Sequence, residues 1–198
     1  MIELYALTDH PGPPLPDVGA LHVVPAGDLG IICGAVEPDA ASPAALWRRS
    51  EVVDALMEDR DLLPFRFGTR LADEDAAVRA VRERRDELAG ALDRVRGAVE
   101  LSLRVLVTSD EDAGPDYLEA RRRGEAQAEA VHAPLAALAR ASVRRASTPR
   151  PELLRAAYLV DRGAVAEFLR AVAAAQAANP QLSLLCTGPW PPYSFTTP

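Results

Sequence analysis

The stretch Val99 to Val107 alternates with a period of two more strictly than any other in the chain, placing Val99, Leu101, Leu103, Val105 and Val107 on one face. A strand with one apolar face must have that face covered, and the residues C-terminal to it supply the cover. The sequence predicts a long helix from Asp116, strands at Ser142–Arg145 and Leu153–Val160 around a turn at Thr148–Pro151, and a helix over 163–178. That last helix turns Val165, Phe168, Leu169 and Val172 inward and is stopped by Asn179-Pro180. A final strand is expected at Leu182–Cys186. Right-handed crossovers fold a βαββαβ order into a four-stranded antiparallel sheet with both helices on one face, the ferredoxin-like arrangement.

The long helix is unusual. From Glu119 to Gln127 it carries almost no apolar stripe, and only later do Ala128, Val131, Leu135 and Leu138 supply one. A helix polar all round for two turns projects into solvent or lies on a polar partner, and Pro134 is expected to kink it.

The first half is α+β but less regular. Ile2–Leu7 reads as a strand, followed by a proline-rich loop, then a hairpin of Leu21–Val24 with Leu29–Val36. Ser42-Pro43 starts a helix that runs to about Asp59. Leu62 to Thr69 reads as a short extended segment, and one helix is expected from the Asp73 cap to about Arg96. The predicted architecture is therefore α+β in two domains, residues 1–97 and 98–198, the second ferredoxin-like with a long projecting helix. No sequence repeat links the halves.

Composition excludes several function classes. All 22 basic residues are arginine, and against 29 acids they leave a net charge of −7, which disfavours a nucleic-acid partner held by phosphate neutralisation. No apolar run reaches the length of a spanning helix and no leader pattern opens the chain, so no membrane partner is expected and the location is read as cytoplasmic. Cys33 and Cys186 form no metal or disulfide pattern and are read as buried free thiols.

The residues offer no catalytic constellation. His10, His22 and His132 fall in a loop, a strand and a polar helix, with no spacing that suggests a triad or metal site. A phosphate loop of the GxxxxGK type is impossible without lysine. Acid pairs such as Asp73/Asp75 and Glu111/Asp112 sit where caps and turns want them. No enzyme activity, cofactor or metal is expected.

Two segments stand out. In Leu63-Pro64-Phe65-Arg66-Phe67-Gly68-Thr69, a strand would put Phe65 and Phe67 on one face and Arg66 on the other. Arg66 then either pairs with a surface acid or is a buried or interfacial charge that needs a carboxylate. In Gly188-Pro189-Trp190-Pro191-Pro192-Tyr193-Ser194-Phe195, the prolines enforce an extended backbone displaying three aromatics. This strap either docks on its own domain or forms a partner-binding ridge.

Both segments resemble signatures of the gas vesicle GvpF/GvpL family. Between them, Val99–Val105, the helix start Tyr117-Leu118-Glu119-Ala120-Arg121-Arg122, and Ala157-Tyr158-Leu159-Val160-Asp161-Arg162 are similar to the family in the same order. The chain departs at Arg49-Ser50, where a histidine is expected. The resemblance implies two modified ferredoxin-like domains, including the N-terminal one. It also implies a non-enzymatic accessory protein of gas vesicle assembly that binds the hydrophobic shell protein and other accessory proteins. On that reading Trp190, Tyr193 and the edge bearing Phe65 to Phe67 help contact the shell subunit, and Arg66 orients the domains or the contact. Oligomeric state is left open. Alternatives are a small-molecule-sensing regulator, since ferredoxin-like domains often bind ligands between helices and sheet, and an enzyme using scattered carboxylates.

Overall fold

The computed structural model describes residues 1–36, 42–107, 117–145 and 152–196, apart from the side chains of residues 117, 118, 120 and 121. The backbone divides into two compact units, Met1–Gly97 joined by the chain from Pro191 onward, and Ala98–Trp190. The residues after Trp190, expected with 98–198, thus group with the first unit. The turn expected at Thr148–Pro151 and the acid pair Glu111/Asp112 lie outside the described residues.

The first unit runs β1 (Ile2–Asp9), β2 (Leu21–Ala26), β3 (Leu29–Ala35), α1 (Pro43–Asp59), β4 (Leu62–Pro64), β5 (Arg70–Leu71), α2 (Glu74–Glu83) and α3 (Arg85–Val95). Its sheet order is β2-β3-β1-β4, with β5 pairing the start of β1. Leu4, Cys33 and His22 stand in register across β1, β3 and β2, and His22 reaches Glu74 of α2. Glu3, Gly34 and Leu21, one step along, share the opposite face, where Arg49 of α1 reaches Glu3. The sheet therefore carries α1 on one face and α2 on the other.

Ser42 caps α1 by accepting the Ala45 N–H, with Pro43 at the first helical position. The single helix expected from Asp73 to Arg96 is two, broken at Arg84 (φ −118°, ψ 22°). The apolar stripe of Ala77 and Val81 resumes at Leu92 and Val95, but Arg84 and Arg85 occupy the turn between. Both turn to carboxylates, Arg84 to Glu87 and Arg85 to Asp28 and Asp86, so the apolar stripe is interrupted at that turn.

The second unit runs β6 (Ala98–Val107), α4 (Tyr117–Ala137), β7 (Ala141–Arg145), β8 (Glu152–Asp161), α5 (Val165–Ala178) and β9 (Leu182–Trp190). Its order is β7-β8-β6-β9, antiparallel throughout, as the βαββαβ reading requires. Leu101, Leu103 and Val105 of β6 pack with Leu154, Tyr158 and Val160 of β8 under Ala128, Val131 and Leu135 of α4 and Phe168 and Val172 of α5. The stripe on α4 begins earlier than its side chains suggest, because buried Gly124 leaves room for Leu153, whose methyl would lie 3.0 Å from an added Cβ. Helix α4 continues through Pro134, which stands in its last turn.

In both sheets the second strand lies at one edge, then the third, the first and the fourth. The first crossover is helix α4 in one unit and the proline-rich stretch 10–20 in the other. That replacement makes the N-terminal unit a modified ferredoxin-like sheet.

Candidate functional site: an aromatic cleft built around a buried arginine

Strand β4 pairs with β1 at Ala6–Thr8 and β5 pairs with it at Ile2–Glu3. Between these contacts β1 bulges, between Leu4 and Ala6, and the chain from Phe65 to Thr69 leaves the sheet edge. The extended segment expected to reach Thr69 therefore ends as a strand at Pro64, and Phe65, Arg66 and Phe67 do not alternate on its faces. A turn replaces it. The Arg66 carbonyl accepts the Thr69 N–H at 3.1 Å and its Oγ1 at 2.7 Å, with Gly68 at φ +76°, a conformation glycine adopts without strain.

This excursion turns two carbonyls, of Leu4 and Phe65, away from any strand partner, and Arg49 fills the gap. Its Nη2 donates to the Leu4 carbonyl at 2.7 Å and to that of Phe65 at 3.0 Å, while Nη1 donates to Glu3 Oε1 at 3.0 Å. The guanidinium carbon lies 4.7 Å from the Tyr5 ring centroid and 6.0 Å from that of Phe67. Arg49 and Glu3 are both buried, at 5% and 6% side-chain exposure, and the Arg49 Nε–H has no partner among the described residues. The buried charge sought at Arg66 is thus at Arg49; Arg66 itself is exposed. The signal for it was present, since Ala45, Arg49, Val53 and Leu56 form one helical stripe and an arginine within such a stripe must be paired.

Phe67 and the same arginine also wall a cleft of about 480 Å³ lined by Pro43, Leu46, Trp47, Ser50 and Tyr193. Trp47 is 72% exposed, with Leu46, Phe67 and Tyr193 between 38% and 48%. A tryptophan so exposed beside three other large apolar side chains is the pattern of an interaction surface. Trp47 lies off the buried stripe of α1 and belongs to no motif, so sequence reasoning passes it over. A second cleft of about 400 Å³ adjoins Arg49 and Phe67, with Tyr5, Leu21 and Gly34 in its wall.

The strap does not form a single ridge. Pro189 and Trp190 are the end of β9, longer than the expected Leu182–Cys186, and the Trp190 indole donates to Thr187 Oγ1 at 3.3 Å. Pro191 and Pro192 are buried, and Tyr193–Phe195 turns back as a short 3₁₀ helix that buries Phe195. Trp190 therefore belongs to the second unit, Tyr193 to the cleft of the first, and Phe195 to a core.

One side-chain line-up resembles a catalytic triad. His22 Nε2 lies 2.9 Å from Glu74 Oε1 and 3.4 Å from Cys33 Sγ. Cys33 is fully buried, and burial together with the nearby Glu74 charge pushes its thiol up to about 11, opposite to what a nucleophilic thiolate requires. Cys186, expected buried, is only half-buried, and burial raises its thiol too. In the second unit His132 Nδ1 and the Tyr158 hydroxyl lie 2.7 Å apart inside the core. Among the described residues no group of three or more His, Cys, Asp or Glu side chains is arranged to hold a metal. No helix among them is long and apolar enough to cross a membrane.

Against known proteins, residues 4–115 and 117–197 match the family model for the gas vesicle synthesis protein GvpL/GvpF. Gas vesicle protein L of a Streptomyces strain is 28% identical over 215 residues, covering 85% of this chain and 80% of that protein. Gas vesicle protein F2 of Halobacterium salinarum is 28% identical over 155 residues, covering 77% of this chain and 68% of its own. The crystal structure of GvpF from Anabaena superposes with a TM-score of 0.85 at 17% identity, over all of this chain and 96% of that one. GvpF from Microcystis aeruginosa gives 0.83 at 17% identity, over all of this chain and 99% of that one.

Proposed function

Because this chain belongs to the gas vesicle GvpL/GvpF family, we propose that it acts in gas vesicle assembly as a non-enzymatic adaptor that holds the apolar shell subunit, alone or with other accessory proteins, before incorporation. The observation that carries this reading is the cleft of Leu46, Trp47, Phe67 and Tyr193. An apolar shell subunit aggregates through exposed surface unless something covers it, and a preformed aromatic cleft on a rigid helix does so at little entropic cost. Arg49 is the positioning residue of this surface, since it fixes the turn that carries Phe67. Arg66, exposed beside Phe67, is left free to meet a carboxylate on the partner's rim.

The small-molecule-sensor alternative draws on the 400 Å³ cleft. Its buried charges Glu3 and Arg49 already pair with each other.

The test is co-expression with a gas vesicle shell protein and purification through a tag on this chain. Wild type retains soluble shell protein. Trp47→Ala, an exposed position whose loss leaves the thermal melt unchanged, reduces retention at least about tenfold. Unchanged retention in both Trp47→Ala and Tyr193→Ala, with native circular dichroism, would refute the cleft as the binding surface.

A further inference from the structure

The two edges of the C-terminal sheet are protected very differently. Edge strand β7 has five residues and carries Arg144 and Arg145, the charged protection usual for an open edge. Edge strand β9 has nine residues, Leu182-Ser183-Leu184-Leu185-Cys186-Thr187-Gly188-Pro189-Trp190, and not one charge. In a chain with 51 charged residues, 22 basic and 29 acidic, an uncharged edge of that length is an invitation to pair.

The backbone shows which part of the edge is open. Gln176 of α5 reaches round it, its Nε2 donating to the Leu182 carbonyl at 2.7 Å and its Oε1 accepting the Leu184 N–H at 2.8 Å. The Leu182 N–H donates to the Asn179 carbonyl at 3.0 Å. The side-chain amide thus occupies the place of a peptide group in a neighbouring strand. Because N–H and C=O of one residue in an antiparallel strand point to the same side and alternate residues repeat the direction, Leu182, Leu184 and Cys186 all face away from β6. Gln176 satisfies the first part. The Leu184 carbonyl and both backbone groups of Cys186 face outward, and no partner for them exists among the described residues. Beside them, Leu185 and Trp190 stand 47% and 40% exposed.

We propose that the segment Leu184–Gly188 of β9 is a strand-addition site that takes an extended, uncharged segment of the partner subunit as a fifth strand, with a bulky apolar side chain meeting Leu185. The amide mimicry of Gln176 shows which geometry the edge accepts, and the absence of charge on β9 selects an uncharged partner strand. Three outward backbone groups match a segment a few residues long, too short a seam for a stable dimer of this chain through the edge alone. The proposal rests on the assembly reading above, in which that strand belongs to the shell subunit.

Two variants test it. Cys186→Pro removes an outward N–H while leaving the ladder to β6 intact, and Leu185→Lys places a charge on the exposed face of the edge. Each is purified with co-expressed shell protein, and backbone hydrogen exchange of Leu184–Gly188 is compared with and without it. The expectation is a loss of retention of about tenfold or more in both variants with an unchanged melt, and slowed exchange at Cys186 in the wild-type complex. Wild-type retention of the shell protein with equal retention by Leu185→Lys, and no protection at Cys186, overturns strand addition while the assembly reading stands. No retention by wild type overturns both.

Discussion

Replacing Arg49 by methionine removes a buried cation whose ion-pair partner, Glu3, is buried with it. Among the described residues Glu3, at 6% side-chain exposure, keeps the cation of Arg70, whose Nε lies 3.9 Å from Oε2, beyond hydrogen-bond length. The Leu4 and Phe65 carbonyls lose a donor each, at 2.7 and 3.0 Å. Breaking a buried ion pair from one side costs about 3–5 kcal/mol, since the remaining charge keeps its desolvation penalty without its partner. Two orphaned carbonyls push the value to the upper end of that range. A loss of that size is a large fraction of the roughly 5–15 kcal/mol typical of a domain. Urea unfolding followed by far-ultraviolet circular dichroism measures it. A double-mutant cycle locates the cause: Glu3→Gln is costly in the wild type, yet in the Arg49→Met background it costs about 1 kcal/mol or less, or stabilises, because the stranded carboxylate is removed. A loss below about 1 kcal/mol for Arg49→Met, or equal costs of Glu3→Gln in both backgrounds, would refute the claim that this pair organises the turn.

Gly124→Val on α4 drives a branched side chain into Leu153, whose Cδ2 already lies 3.0 Å from the position of an added Cβ, so the second unit loses about 1–3 kcal/mol in a thermal melt. Glu152 contributes through pH. Its carboxylate accepts from Arg155 Nε and Arg104 Nε, both at 2.8 Å, and the Arg155 hydrogen bond, followed by that of Arg104, holds its pKa below the usual 4.5. A depressed folded-state pKa adds stability that is complete above about 4.5 and is lost as pH falls through the folded value. Glu152→Gln is therefore less stable than wild type at pH 7, and the gap narrows below about pH 4.5 in urea melts run across that range.

Elements whose causes are local could be read from the chain alone. The period of Val99–Val107, the Ser42 and Asp73 caps and the Asn179-Pro180 stop depend on residues within a turn or two of one another, and each is found where the spacing puts it. From these the βαββαβ order and its sheet follow by the handedness of crossovers. The break at Arg84 was legible only in part. Two arginines interrupt the stripe, but Asp28, which draws Arg85 away, comes from a hairpin 57 residues earlier.

The site, by contrast, is a product of long-range packing. The segment around Arg66 is unusual in sequence, yet its meaning depends on a bulge in β1 and on an arginine 16 residues before Phe65 in the chain. Nothing in the spacing of Phe65, Arg66 and Phe67 distinguishes a strand from a turn that begins as one. Likewise the prolines of 189–192 make the tail stiff, but whether Trp190, Tyr193 and Phe195 share a surface is set by which unit each packs into. Local propensity follows from neighbours along the chain. Burial of a charge and exposure of a ring follow from neighbours in space, which only the folded chain brings together.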